Sequence, residues 1–167
     1  PYSAGFATIS FVISEIIYTF ALCVETYNSK LITQNYFIML KTILSISGKS
    51  GLYKLVSQGK NMLIVESLTD KKRMPAYGTD KMISLGDIAM YTDEDDVPLQ
   101  EVFLSIKKKE NGQPIALDIK TATPDELRQY MGEVLPNFDR DRVHLSDIKK
   151  LIAWYNLLVA NNLTDFE

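Results

Sequence analysis

The sequence predicts an α+β fold, a small antiparallel SH3-like β-barrel or curled sheet followed by a helical C-terminal half. Three observations carry that expectation. Short β-branched runs punctuated by glycine fill residues 40–92, capped segments with helical spacing follow Pro98, and the charge changes sign at about the same place. At 167 residues the chain has the length of one domain or two very small ones and can bury a sizeable core. The expected division is a doubtful segment over 1–38, a barrel-like unit over 39–92 and a helical unit over 93–167.

The strands are read from "LKTILSI", "GLYKLVS", "NMLIVESL", "KMISL" and "DIAMYT", separated by "SGKSG", "QGK", "TDKKRMPAYG" and "LGD". Gaps this short leave no room for crossover helices, so the strands are expected to be antiparallel. A set of short strands this close together suggests a small barrel, with an open curled sheet as the rival. The first helix is expected in "VPLQEVFLSIKKKENG", with Pro98 at its first position, Val102, Phe103 and Ile106 on one face and Gly112 beyond its end. In "TPDELRQYMGEVLP" a capping box is expected between Thr123 and Glu126. In "SDIKKLIAWYNLLVANN" Ser146 is the expected cap, and Ile148, Leu151, Ile152, Tyr155, Leu158 and Val159 repeat at helical spacing. Trp154 and Tyr155 fall on this helix as core or core-edge residues rather than a ligand box.

Residues 1–38 differ from the rest. "FATISFVISEIIYTFALCV" is almost uncharged and nearly long enough to span a bilayer, but Glu15 sits within it, no basic residue precedes it and no small-residue cleavage site follows. The expectation is that Met39 is the natural start and that 1–38 is read-through of an AT-rich upstream region. A membrane or interfacial anchor and an extra packed element are the alternatives.

The formal net charge of −3 points to no partner, but its distribution is uneven. Residues 39–92 hold eight Lys/Arg against four Asp/Glu, and residues 93–167 hold nine against fifteen. A basic face and an acidic one follow from that asymmetry. The single cysteine, Cys23, excludes an intramolecular disulfide and a multi-cysteine metal site, and suits a reducing, cytoplasmic compartment.

Most motifs that suggest chemistry fail on context. "SGKSG" has Ile43 where a phosphate loop needs glycine, and a strand rather than a helix follows, so it reads as a hairpin turn. Ser57 and Lys60 in "SQGK" have the spacing of a serine–lysine pair but lack the partner motifs. His144 is the only histidine, so a His–His or His–Cys metal site is excluded over 39–167 and a Ser–His–Asp triad would have to use it. With Asp139 and Asp141 it forms a weak candidate for a hard cation, while Arg140 and Arg142 are expected to pair with these aspartates. "TDEDD" lacks the glycine and terminal glutamate of a calcium loop. No cofactor is expected.

The stretches "MLKTILSISGKSGLYKLVSQGKNMLIVESL", "PAYGTDKMISLGDIAMYTD" and "VLPNFDRDRVHLSDIKKLIAWYNLLV" together resemble a bacterial family of small proteins catalogued as a domain of unknown function. The resemblance covers residues 39–167 and implies that family members begin near Met39. It implies no activity and no catalytic residue.

The remaining signal is the basic, tyrosine-bearing set Tyr53, Lys54, Lys71, Lys72, Arg73, Tyr77 and Lys81. Aromatic platforms beside cations hold single-stranded nucleic acid, because bases stack and phosphates need counter-charge. The expected function is a non-enzymatic binding module for single-stranded RNA or DNA. The alternatives are a protein-interaction or self-associating scaffold module and, third, a metal-dependent hydrolase. No membrane partner is expected unless residues 1–38 are genuine.

Overall fold

The computed structural model describes residues 39–166, so the expectations for 1–38 lie outside the described residues. The fold is α+β. Strands β1 (Ile43–Ile46), β2 (Tyr53–Gln58), β3 (Met62–Ser67), β4 (Arg73–Tyr77) and β5 (Met82–Ser84) form one antiparallel sheet in the order β4-β3-β2-β1-β5. No pairing joins β4 to β5 among the described residues, so the pairing pattern is that of an open sheet.

Two differences from the sequence reading matter. The separator "TDKKRMPAYG" contains a strand, β4, and Pro75 sits within it. Proline is tolerated there because β4 is an edge strand and only one of its sides must pair. "DIAMYT", in turn, does not join the sheet: β6 (Ala89–Met90) pairs with β7 (Val97–Pro98) in a separate ribbon whose turn is the acidic run. Thr92 is buried in that turn; its hydroxyl donates to the Asp95 carbonyl at 2.7 Å and accepts from the Glu94 N–H at 3.2 Å.

After β7 come α1 (Leu99–Glu110), α2 (Pro124–Val134) and α3 (Leu145–Ala160). Pro98 caps α1 rather than opening it, and Asn111 ends it in the left-handed region with φ 52°. The Thr123–Glu126 capping box is present: Thr123 N–H donates to the Glu126 carboxylate at 2.8 Å and Glu126 N–H to the Thr123 hydroxyl at 3.3 Å. α3 starts earlier than expected. His144, not Ser146, is its cap residue, and its N–H donates to the Asp147 carboxylate at 3.1 Å.

The sheet buries residues on both faces. Leu44, Ile46, Tyr53, Val65 and Ala76 form a small cluster on the inner face, with Leu55, Leu63, Met74 and Met82 packed against it. Between Leu55 and Ser57 the β2–β3 register slips, leaving Val56 as a bulge residue, and bulges increase local twist and curl. On the other side, Ile43 joins Leu40, Leu52, Leu68 and Leu85 in one continuous core with the helices. That core centres on Phe103, Tyr155 and Phe166, with the Phe103 and Phe166 rings stacked 5.2 Å apart. No helix among the described residues is long and apolar enough to cross a membrane.

The Tyr155 hydroxyl is buried without a hydrogen-bond partner. Burial raises its pKa, and the nearby Glu110 charge adds to the shift. An unsatisfied buried hydroxyl costs desolvation that folding does not recover. Tyr155→Phe is therefore expected to hold or raise stability, by up to about 1 kcal/mol in urea unfolding. A clear loss of stability would mean that the hydroxyl has a partner in solution.

Candidate nucleic-acid interface

Strand register sorts the basic half by face. Lys54 lies opposite Glu66, and Glu66 opposite Arg73, so these three share the outer face of the sheet. Period-two alternation puts Pro75 and Tyr77 of β4 and Met62 and Ile64 of β3 on that same face. Tyr77 pairs directly with Met62, and the two are 51% and 41% exposed, with the bulge residue Val56 at 42%. The result is an exposed aromatic and thioether strip with cations at one end, spanning about 13 Å along β4.

At its other end the strip meets a cavity of about 320 Å³. The β2–β3 turn lines it through Gln58, Lys60 and Asn61, and Leu63, Ala76 and Met82 of the inner face line it as well. Gln58 reaches this cavity because the bulge at Val56 reverses the alternation, pairing Gln58 with inner-facing Leu63.

The structure brings together only part of the expected set. Lys54, Arg73 and Tyr77 share the outer face. Tyr53 does not: it is 6% exposed in the inner cluster, and its hydroxyl donates to the Ser50 carbonyl at 3.2 Å, so its ring offers no stacking surface. Lys71 and Lys72 lie in the β3–β4 turn, and Lys81 lies at the opposite end of the sheet beside β5. The "KKR" run is also largely committed. Lys71 bonds the Asn161 side chain, Lys72 pairs with Asp70 at 3.4 Å, and Arg73 pairs with Glu66 at 3.1 Å. Lys54, Lys60 and Lys81 make no ion pair among the described residues.

The second candidate cluster does not assemble as a metal site. Asp139 accepts N–H donors from Asp141 at 2.9 Å and Arg142 at 3.0 Å, and the Arg142 guanidinium takes its other oxygen. These bonds, Arg142 first, hold the Asp139 carboxyl below the usual carboxylate range. Arg142 also donates to the Thr92 carbonyl at 2.9 Å and lies over the Tyr91 ring at 4.6 Å. Asp139 thus fastens the start of α3 to the acidic turn. Among the described residues no group of three His, Cys, Asp or Glu side chains is placed to hold a metal ion.

Residues 40–85 match the family model described as "Domain of unknown function (DUF5606)", and residues 88–158 match "Domain of unknown function (DUF6852)". A solution NMR structure from Bacteroides vulgatus, determined by the Northeast Structural Genomics Consortium, is 66% identical. It covers 75% of this chain and 89% of that one, with a TM-score of 0.63. The chain belongs to the family of this Bacteroides protein. The bacterial family of unknown function expected from the sequence is therefore the right one, represented by two adjoining domain models rather than one. No curated protein matches.

Met62, Val56, Gln58 and Lys60 belong to this candidate surface and were not singled out for it by the sequence reading. Pro75 read as an edge-strand proline would have placed β4 beside β3 and so paired Tyr77 with Met62.

Because the Asp139 pKa is depressed in the folded state, its stabilisation is present above the unfolded value near ~3.9 and is lost as pH falls through the folded value. Asp139→Asn should therefore lower the urea midpoint at neutral pH, with the two proteins converging in strong acid. Parallel curves at all pH values would show that the carboxylate charge contributes nothing.

Proposed function

We propose that the chain is a non-enzymatic module that binds single-stranded nucleic acid on the outer face of β2, β3 and β4. The single observation that carries this reading is the pairing of exposed Tyr77 with Met62 on a sheet face that also bears Lys54, in a chain of net negative charge. A base stacks on Tyr77, the neighbouring cavity between the β2–β3 turn and β5 receives a second base against Gln58 and Asn61, and Lys54, Lys60 and Lys81 follow the backbone. We read the five-strand antiparallel sheet, a four-strand meander with the fifth strand beside the first, as an SH3-like arrangement left open between β4 and β5, and the strand order supports that reading. Small barrels of related shape carry such surfaces, although fold alone assigns no function. A cytoplasmic setting accords with the single cysteine.

A protein partner is the second reading, and one observation favours it. Val56, Met62 and Tyr77 expose apolar surface on one sheet region, the kind of patch that partner proteins cover. This patch lies on the sheet rather than the helices, since none of the large hydrophobic residues exposed by more than about a third lies on α1, α2 or α3.

Fluorescence anisotropy against short single-stranded RNA and DNA across a salt series distinguishes the two. With three free cations, the expected slope of log affinity against log salt is about −2. Tyr77→Ala should weaken binding by about tenfold or more, the loss of roughly one stacked base. Replacing Lys54 and Lys60 with alanine should flatten the slope by about 1.4, whereas Lys71→Ala with Lys72→Ala should change it little. Absence of binding at low salt would remove the nucleic-acid reading and leave the protein partner.

A further inference from the structure

The "SGKSG" loop is a chemical motif that the outer sheet face does not use. It connects β1 to β2, with Gly48 at φ 81° and Gly51 at φ 88°, conformations in which side chains other than glycine are strained. A Cβ on Gly51 would also lie 3.2 Å from the Thr69 hydroxyl. The loop is therefore shaped by its glycines, and it forms one wall of a groove of about 400 Å³. Ser45, Lys49, Ser50 and Gly51 line it from the sheet side, and Lys150, Ala153, Trp154 and Leu157 from α3.

The α3 wall follows from helical spacing. Positions 150, 153, 154 and 157 fall on one face, and Ala153 is the small residue between three long side chains. The small Ala153 side chain leaves the floor of the groove open on the α3 side. Trp154 is half-buried, so part of its indole remains open to the groove.

The hydroxyls are uncommitted and the two cations are only loosely engaged. The Ser45 and Ser50 hydroxyls make no hydrogen bond among the described residues. Lys150 approaches Asp147 only to 4.0 Å, with its side chain 62% exposed. Lys49 rests its ammonium 3.7 Å from the Met74 sulfur, a weak acceptor that a better one displaces at little cost. Two cations, two free hydroxyls and the chain's only tryptophan thus line one concavity, within the ~300–1,000 Å³ range of small-ligand sites.

We propose that this groove is a binding site for a small anionic ligand with a planar ring, of the nucleoside monophosphate class. Lys49, Lys150 and the two hydroxyls receive the phosphate, with lysine acting as a point charge, and the ring lies against Trp154 over Ala153. The site is not a phosphate loop, because a strand follows the glycines and the second cation comes from a helix far along the chain. It uses none of the residues assigned to the outer sheet face and stands independently of that assignment.

The test is a heteronuclear NMR titration of the full chain with AMP, with adenosine and ribose 5-phosphate as partial ligands. AMP is expected to shift the amide signals of Lys49, Ser50, Ala153 and Trp154, with each partial ligand binding at least about tenfold more weakly, because each lacks one half of the recognition. Lys49→Ala combined with Lys150→Ala, both at accessible positions, should weaken AMP by about tenfold or more while leaving the remaining spectrum intact. Ala153→Leu, which fills the recess, should abolish the shifts. The proposal is overturned by unmoved groove signals at millimolar AMP, by adenosine binding as tightly as AMP, or by AMP shifts confined to Tyr77 and Met62. The last result would assign the nucleotide to the sheet face instead.

Discussion

The constraint on which the other features depend is that β1 buries side chains on both of its faces. Ile43 packs outward into the helical core and Leu44 and Ile46 pack inward into the sheet's own cluster, each at most 8% exposed. A strand buried twice must sit centrally in the sheet, which it does, with β2 on one side and β5 on the other. The inner cluster is small, and the sheet encloses it by curling, assisted by the bulge at Val56. The helices cover the outer face at β1. At β3 and β4 the outer face retains exposed Met62 and Tyr77, and that exposed part is the surface on which the proposed binding rests.

The same geometry explains why the basic sequence is less basic as a surface. Cross-strand pairing brings Glu66 beside Arg73, and the β3–β4 turn brings Asp70 beside Lys72. Exposed pairs of this kind add little stability, but they neutralise the local field. The cations left without carboxylates are those at the strand ends and turns, Lys49, Lys60 and Lys81, together with Lys54 in mid-strand. Charge counted along the chain therefore located the basic half but not which of its cations carry no carboxylate partner.

Much of the fold was legible because its signals are local. The Thr123–Glu126 box and the apolar spacing in α3 each depend on residues within a few positions, and both appear as expected. The errors come from non-local facts. Pro75 looked like a breaker because its edge position depends on a neighbour many residues away. Tyr53 looked available because a strand has two faces, and only pairing with Leu44 and Ser67 determines which one is buried. "DIAMYT" looked like a sheet strand, but its pairing partner lies across the acidic turn. For the candidate site this non-local share is larger still. Tyr77 and Arg73 were legible as residue types, whereas Met62 became visible only through its pairing with β4 and Gln58 only after the bulge had reversed the alternation of β2.

Trp154 illustrates the same limit in the helical half. Its spacing on α3 assigns it to the core edge, and it does pack there, but spacing cannot show what stands opposite a helix face. Opposite it is the glycine-shaped β1–β2 loop, and the small residues Ala153 and Ser45 face the gap between them without filling it. A larger pair at these two positions would extend the contact that Ile43 makes with the helices and close the sheet onto α3. The seam instead closes at Ile43 and opens at Ser45, two residues apart on the same face of one strand. An open seam between two packed layers forgoes apolar burial, at roughly 25 cal/mol for each Å² left wet. The chain bears that cost at the point where two lysines and two unbonded hydroxyls gather, which is the arrangement expected where a ligand rather than packing completes the layer.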